Sequence, residues 1–286
     1  MQRDHFEHDT NTDEEADDAL SLFNKGPCLS NGHRSPGDAD NMVTLPVLSG
    51  PGRGLRIRAD LVDRKDAYFW GRYDRYVLDQ VLPLVQPGWT VWDCGTYLGY
   101  YTLIFARSVG ATGRVVAIEL DAGNLRRTRE NAEANSITNI DYINAAIGGP
   151  AGEVEFVVDP KTNSHLPGTY VGGADMKRVW KTKDRDRARG RVDCISLDQA
   201  ILERGVPSPH LVKLDIEGAE KDALEHAAYI FGRIRPLLIL ELHNPECDLA
   251  AWTFSQHFGY ELYSLEDEKV LTQATQVHGT LLCRPL

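Results

Sequence analysis

The chain has 286 residues, of which 42% are hydrophobic, enough for one large domain with a sizeable core. Its formal net charge is -11, which argues against a general nucleic-acid binder, because that role needs a basic face to neutralise phosphates. No apolar run approaches the roughly 20 residues that span a bilayer, and the acidic N-terminus lacks the pattern of a signal peptide, so a cytoplasmic location is expected. Cys28, Cys94, Cys194, Cys247 and Cys283 are scattered without a CxxC pair, which speaks against a disulfide framework and a zinc site.

Residues 1–40 open with an acidic run from Asp4 to Asp18 that cannot bury enough apolar surface to order itself. Within it Leu20-Ser21-Leu22-Phe23 is the one candidate docking piece. Residues 41–88 form an extension. In it Val43 to Val47 and Leu55 to Arg58 flank the glycine-rich loop Ser49 to Gly54, the pattern of a hairpin. A helix carrying Tyr76, Val77, Val81 and Leu84 follows and stops at Pro87-Gly88. Tyr73 and Asp74 stand at its start, as an N-terminal charge favourable to the dipole or as part of a site.

The main domain, residues 89–286, begins with a buried strand ending in Val91-Trp92-Asp93-Cys94. The chain then turns through Gly95-Thr96-Tyr97-Leu98-Gly99 into a helix. A strand that breaks at glycines and turns into a helix is how a doubly wound sheet presents open amides to a nucleotide-type ligand. Asp93 bears on which ligand. A pyrophosphate would be repelled by that carboxylate, whereas the ammonium and sulfonium of S-adenosylmethionine would be attracted. A second strand, Val115 to Ile118, ends in Glu119, an acid able to accept two ribose hydroxyls.

A helix over 123–135 and a third strand, Asp141 to Ala145, continue the alternation. Asn144 at the end of that strand offers either a polar contact to an adenine ring or a turn-stabilising side chain. Val154 to Val158 is a further strand. Residues 159–190 then break the pattern. From Lys177 to Arg191 the chain holds Lys177, Arg178, Lys181, Lys183, Arg185, Arg187, Arg189 and Arg191, with Tyr170 and Trp180 nearby. That composition fits either a loop receiving an anionic acceptor or a solvated surface loop. Val192 to Ile195 is a strand, and Ser196 caps the helix after it.

Leu211 to Asp215 and Pro236 to Leu242 are the fourth and fifth strands of the main sheet. They bring Asp215, Glu217, Glu241 and His243 to one rim, with Glu217 opening the next helix. Thr280 to Cys283 closes the sheet as an antiparallel strand. Four polar groups converging on one sheet edge are costly to bury without use. His243 has the proton affinity expected of a base near neutrality, with Asp215 and Glu217 positioning acceptor and cofactor. The same groups suit Mg²⁺ or Mn²⁺, but the preferred reading has no metal.

The segments Asp93 to Thr102, Asn144 to Gly148, Lys213 to Glu220 and Leu240 to His243 together resemble the FkbM-type family of S-adenosylmethionine-dependent methyltransferases. Lys213-Leu214-Asp215-Ile216-Glu217-Gly218-Ala219-Glu220 is the most specific of them. Thr96 and Tyr97 depart from the family, which usually has Ala and a small polar residue there. The resemblance implies an α/β fold with a doubly wound, seven-stranded, mostly parallel sheet. It also implies S-adenosylmethionine as cofactor, held by Asp93, Gly95, Tyr97, Gly99, Glu119, Asn144, Ala146 and Asp215. The activity expected is O-methylation of a sugar, glycan or polyketide-type hydroxyl. N-methylation, a catalytically silent binding module and a nicotinamide-dependent oxidoreductase are the alternatives, the last disfavoured by Asp93 and the missing GxGxxG. The sequence does not bear on oligomeric state.

Overall fold

The computed structural model describes residues 42–60, 66–157 and 189–286. The acidic segment 1–40, with Leu20 to Phe23, and the basic loop up to residue 188, with Tyr170 and Trp180, lie outside those residues.

The extension is a hairpin of β1 (Met42–Pro46) and β2 (Arg56–Asp60), followed by α1 (Asp66–Phe69) and α2 (Arg75–Val81). The main domain runs through β3 (Thr90–Cys94), α3 (Tyr100–Val109), β4 (Arg114–Glu119), α4 (Ala122–Ala134) and β5 (Ile140–Asn144). Next come β6 (Ala146–Ile147), β7 (Gly152–Val157), β8 (Arg189–Ile195) and α5 (Leu197–Leu202). The chain continues with β9 (Leu211–Leu214), α6 (Glu220–Glu225), β10 (Leu237–Glu241), α7 (Pro245–Phe258), β11 (Tyr260–Ser264), β12 (Lys269–Val270) and β13 (Thr280–Pro285).

The main sheet has the order β12-β11-β13-β10-β9-β3-β4-β5. It holds the seven expected strands plus the two-residue edge strand β12. Strands β10, β9, β3, β4 and β5 are parallel; β13 runs antiparallel to both β10 and β11, so β11 points the same way as those five. Successive residues of one strand enter different cores, as a sheet covered on both faces requires. Val91, Val115, Leu211 and Ile239 pack under the hairpin, α2, α3 and α4. Trp92, Val116, Val212 and Leu238 pack against α5, α6 and α7.

The strand order reverses between β3 and β9, and ligands of open α/β sheets bind at such a switch point. Here the backbones approach closely: the Asp215 amide donates to the Cys94 carbonyl. A Cβ on Gly95, at φ 84, would lie 1.8 Å from the Asp215 carbonyl oxygen, so only glycine fits.

Strands β6, β8 and β7 form a separate three-stranded sheet beside the main one, because the chain leaves the sheet after Asn144. At Gly99, φ 83, a Cβ would meet the Thr128 side chain of α4 at 2.6 Å. Arg191 does not extend a free basic surface, since it pairs with Glu153 and Glu155 on the neighbouring strand β7.

Candidate active site

Five strand ends stand in a row on the carboxyl edge: β10, β9, β3, β4 and β5, spaced by about 4.8 Å per strand. Glu119 ends β4. Its carboxylate is buried and pinned by two backbone amides, Tyr97 N–H to Oε2 at 3.0 Å and Asp121 N–H to Oε1 at 2.9 Å. Tyr97 reaches this bond because it adopts left-handed backbone, φ 50. The departure from a small residue at this position therefore alters the side chain and leaves the amide contact in place.

Asp93 is fully buried. Its Oδ2 accepts from the Thr102 hydroxyl at 2.5 Å, and its Oδ1 lies 3.9 Å from the Lys213 ammonium. The charge is thus answered from within the protein, by the Thr102 hydroxyl and the Lys213 ammonium. Burial raises the Asp93 carboxyl while Lys213 and Thr102 pull it back. Lys213 is itself buried, and burial alone would strip its proton. Asp215 and Asp93 outweigh that and raise it. Its Nζ donates to Asp215 Oδ2 at 2.7 Å and stands 4.8 Å from the centre of the Tyr101 ring.

Asp74 sits at the start of α2 but makes no side-chain cap; it is left-handed, φ 44, and its Oδ2 accepts from the Tyr101 hydroxyl at 3.2 Å. Asn144 turns its amide to the Glu119 and Leu120 carbonyls, the turn-stabilising role. Ala146 lies buried in the small sheet, on β6 beside Cys194 of β8.

Asp215, Glu217, Glu241 and His243 do converge. His243 Nε2 is 3.7 Å from Asp215 Oδ1, 3.7 Å from Glu217 Oε2 and 3.9 Å from Glu241 Oε1. Glu217 does not open a helix: it is left-handed, φ 57, in the turn after β9, and α6 starts at Glu220.

Glu220 is the residue that the sequence reading passed over. It is wholly buried, and its Oε1 accepts from the Ile216 and Gly218 amides at 3.1 Å each and from His243 Nδ1 at 2.9 Å. The Cys247 thiol donates to its other oxygen at 3.1 Å. One carboxylate therefore folds the turn holding Glu217 and aims the imidazole. The spacing of Asp215, Glu217 and Glu220 in one motif was the available signal.

Burial opposes a charged His243, but the Glu220 hydrogen bond and the Asp215 and Glu217 charges outweigh it and lift it to about 9. The ring thus holds a proton more tightly than a free imidazole. Burial, then the charge of Asp215, raise Glu241 to about 7. Asp215, Glu241 and His243 each offer one ligand atom, all within 4.8 Å of one another, so they could hold a metal ion.

The profile of the methyltransferase FkbM domain matches residues 93–262, more than half of the chain. The chain belongs to the FkbM methyltransferase family. Its open α/β sheet, whose strand order reverses between β3 and β9, is Rossmann-like and carries that family's methyltransferase domain. The methyltransferase is similar to an FkbM methyltransferase from Methylobacillus flagellatus at 17% identity and TM-score 0.44, over 69% of this chain and 44% of that one. It thus spans less than half of that protein's length. It is also similar to a precorrin-6y C5,15-methyltransferase from Geobacter metallireducens, at 12% identity and TM-score 0.40, over 73% and 86% of the two chains. A third likeness, to a SAM-dependent methyltransferase from Aquifex aeolicus, has 12% identity and TM-score 0.37 over 72% and 87%. No curated protein matches the chain. Among the described residues no helix is long and apolar enough to cross a membrane.

The donor set fits the family's cofactor. The glycine turn and Glu119 lie on β3 and β4, and the polar rim lies one and two strands away on β9 and β10.

Proposed function

We propose that the enzyme transfers a methyl group to a hydroxyl oxygen of a sugar, glycan or polyketide-type small molecule. The observation that carries this reading is the convergence of Asp215, Glu217, Glu241 and His243 beside the glycine turn. A hydroxyl must lose its proton to become a good nucleophile, and a positioned base contributes roughly 100- to 10,000-fold. An amine arriving neutral would need no such cluster.

Bound S-adenosylmethionine supplies a methyl group activated on a sulfonium. In this reading Glu119, held in place at the end of β4 by the Tyr97 and Asp121 amides, would hold the ribose hydroxyls as an acceptor. Gly95, Tyr97 and Gly99 shape the turn on which the cofactor rests. Asn144 and Ala146 border the adenine end, Asn144 by holding the Glu119 and Leu120 carbonyls in place. Asp93 acts through Lys213, which fixes Asp215 at the junction between cofactor and acceptor.

At the acceptor end Asp215 and His243 orient the hydroxyl, and its proton passes to Glu217 or Glu241, the two more open carboxylates. Alignment of oxygen, methyl carbon and sulfur contributes on the order of 7 to 11 kcal/mol. The acidic rim favours a neutral acceptor group. Any anionic part of the acceptor, such as the sequence's basic loop would receive, must sit away from it.

The experiment is a screen of matched hydroxyl and amine acceptors on the same sugar scaffolds, read by mass gain of one methyl. Methylated oxygen, with turnover cut at least 100-fold in Glu217→Gln or Glu241→Gln, supports the reading. Methylation confined to the amines would contradict it.

A further inference from the structure

We propose that Asp215 Oδ1, Glu241 Oε1 and His243 Nε2 form a binding site for one divalent cation of the Mn²⁺ type. Binding depends on these side chains alone. Only the use made of the ion rests on the reading above.

The geometry comes first. Metal–ligand bonds of about 2.0–2.2 Å place neighbouring donors about 3 to 4 Å apart on a shared ion. His243 Nε2 stands 3.7 Å from Asp215 Oδ1 and 3.9 Å from Glu241 Oε1, and the three atoms lie within 4.8 Å of one another. These separations are too long for hydrogen bonds. The oxygens surround the ring nitrogen without bonding to it.

The imidazole is built for that orientation. Its Nδ1 is held at 2.9 Å by Glu220, a wholly buried carboxylate outside the donor set. A ligating histidine characteristically gives its other ring nitrogen to such a carboxylate, which fixes the ring and raises its basicity. Glu220 is in turn locked by the Ile216 and Gly218 amides, so the ring's direction is set by the backbone of the turn.

Charge and hardness point the same way. Asp215, Glu217, Glu220 and Glu241 all face His243, and Lys213, shared between Asp215 and Asp93, hydrogen-bonds the far oxygen of Asp215. That excess of carboxylate in a half-buried rim calls for a cation. Two carboxylate oxygens suit a hard ion, and one imidazole moves the preference from Mg²⁺ toward Mn²⁺.

An ion there stands at the acceptor end of the site. With Glu241 engaged as a ligand, Glu217 is the carboxylate left to take the acceptor's proton, and its Oε2 lies 3.7 Å from Nε2. The O–H bond breaks, the proton goes to Glu217, and the oxygen pair forms the new bond to the methyl carbon. The pair of the broken C–S bond remains on sulfur.

The test titrates Mn²⁺ into the full chain after chelator treatment and dialysis, and follows loss of the free-ion paramagnetic resonance signal. Neither cofactor nor acceptor is present, so a negative result bears on the ion site and leaves the methyl-transfer reading standing. The expected result is one ion per chain, with affinity lowered at least tenfold in each of Asp215→Asn, Glu241→Gln and His243→Gln. Glu130→Gln, in the surface pair with Arg58 of β2, keeps the parent affinity, and thermal melts of all variants show which are folded. Folded parent protein that binds no Mn²⁺ at millimolar concentration would overturn the proposal, as would binding that the folded rim variants leave unchanged.

Discussion

Lys213 bridges Asp93 and Asp215: its Nζ is 2.7 Å from Asp215 Oδ2 and 3.9 Å from Asp93 Oδ1, and it is buried with the fully enclosed Asp93. The bridge crosses from β3 to β9, the two strands where the sheet changes winding direction. Removing one partner of a buried ion pair leaves an uncompensated charge and costs about 3–5 kcal/mol. Lys213→Met is therefore expected to lower unfolding stability by that amount in urea titrations. A loss under about 1 kcal/mol would mean that Asp93 takes up a proton and needs no partner.

The turn after β3 tolerates no side chain at Gly95. A Cβ there meets the Asp215 carbonyl oxygen at 1.8 Å, and φ is 84. Gly95→Ala must separate β3 from β9 at the switch point. The expected outcome is protein that is insoluble or melts well below the parent, whereas a variant with parental melting and cofactor affinity would contradict the packing described.

Two asparagines one helical turn apart dock the N-terminal hairpin. Asn135 exchanges both amide contacts with Arg56 at 2.7 Å, and Asn131 accepts from Arg58 N–H at 2.7 Å while donating to the Leu98 carbonyl at 2.9 Å. Their amides cover the outer edge of β2 as a neighbouring strand would, and Asn131 links that edge to the glycine turn. Asn131→Ala leaves buried groups without partners and is expected to cost about 1–3 kcal/mol. Chemical denaturation measures that loss, and Asn135→Ala, in a more exposed position, should cost less.

Much of this architecture is visible in the sequence because local signals agree with the global fold. The glycine turn, the acid at the end of β4 and the arrival of Asp215 beside β3 follow from alternation of strand and helix. What the sequence conceals depends on contacts between distant segments. Asp93 looks like an open charge until Lys213, on another strand, is seen to answer it. Glu220 looks like a helix-start residue, and only the fold places His243 against it. The separate sheet of β6, β7 and β8 depends on the chain leaving the main sheet after Asn144, which no periodicity announces.

His243 and Glu241 make stability dependent on pH in the metal-free protein. The folded value of His243, about 9, lies above its ordinary 6.5, so its contribution is complete below 6.5 and is lost as pH rises through about 9. Glu241, raised from 4.5 to about 7, holds its proton more tightly when folded, so stability also falls between those values. Denaturation midpoints in chelator should therefore decline from about pH 5 to pH 9. Glu220→Gln should bring the His243 titration, followed by nuclear magnetic resonance, back toward 6.5 and reduce turnover by about 10- to 100-fold. An unmoved titration would show that Glu220 is not what holds the imidazole charged.

The most direct test of the account is isothermal titration of S-adenosylmethionine and its demethylated product into the parent protein and into Glu119→Gln. Glu119 is the acid assigned to the ribose, and its substitution leaves Lys213 and its carboxylate partners untouched. The account predicts that both ligands bind the parent protein and lose at least tenfold in affinity in a folded Glu119→Gln variant. Equal affinity for the two proteins would place the cofactor elsewhere and contradict it.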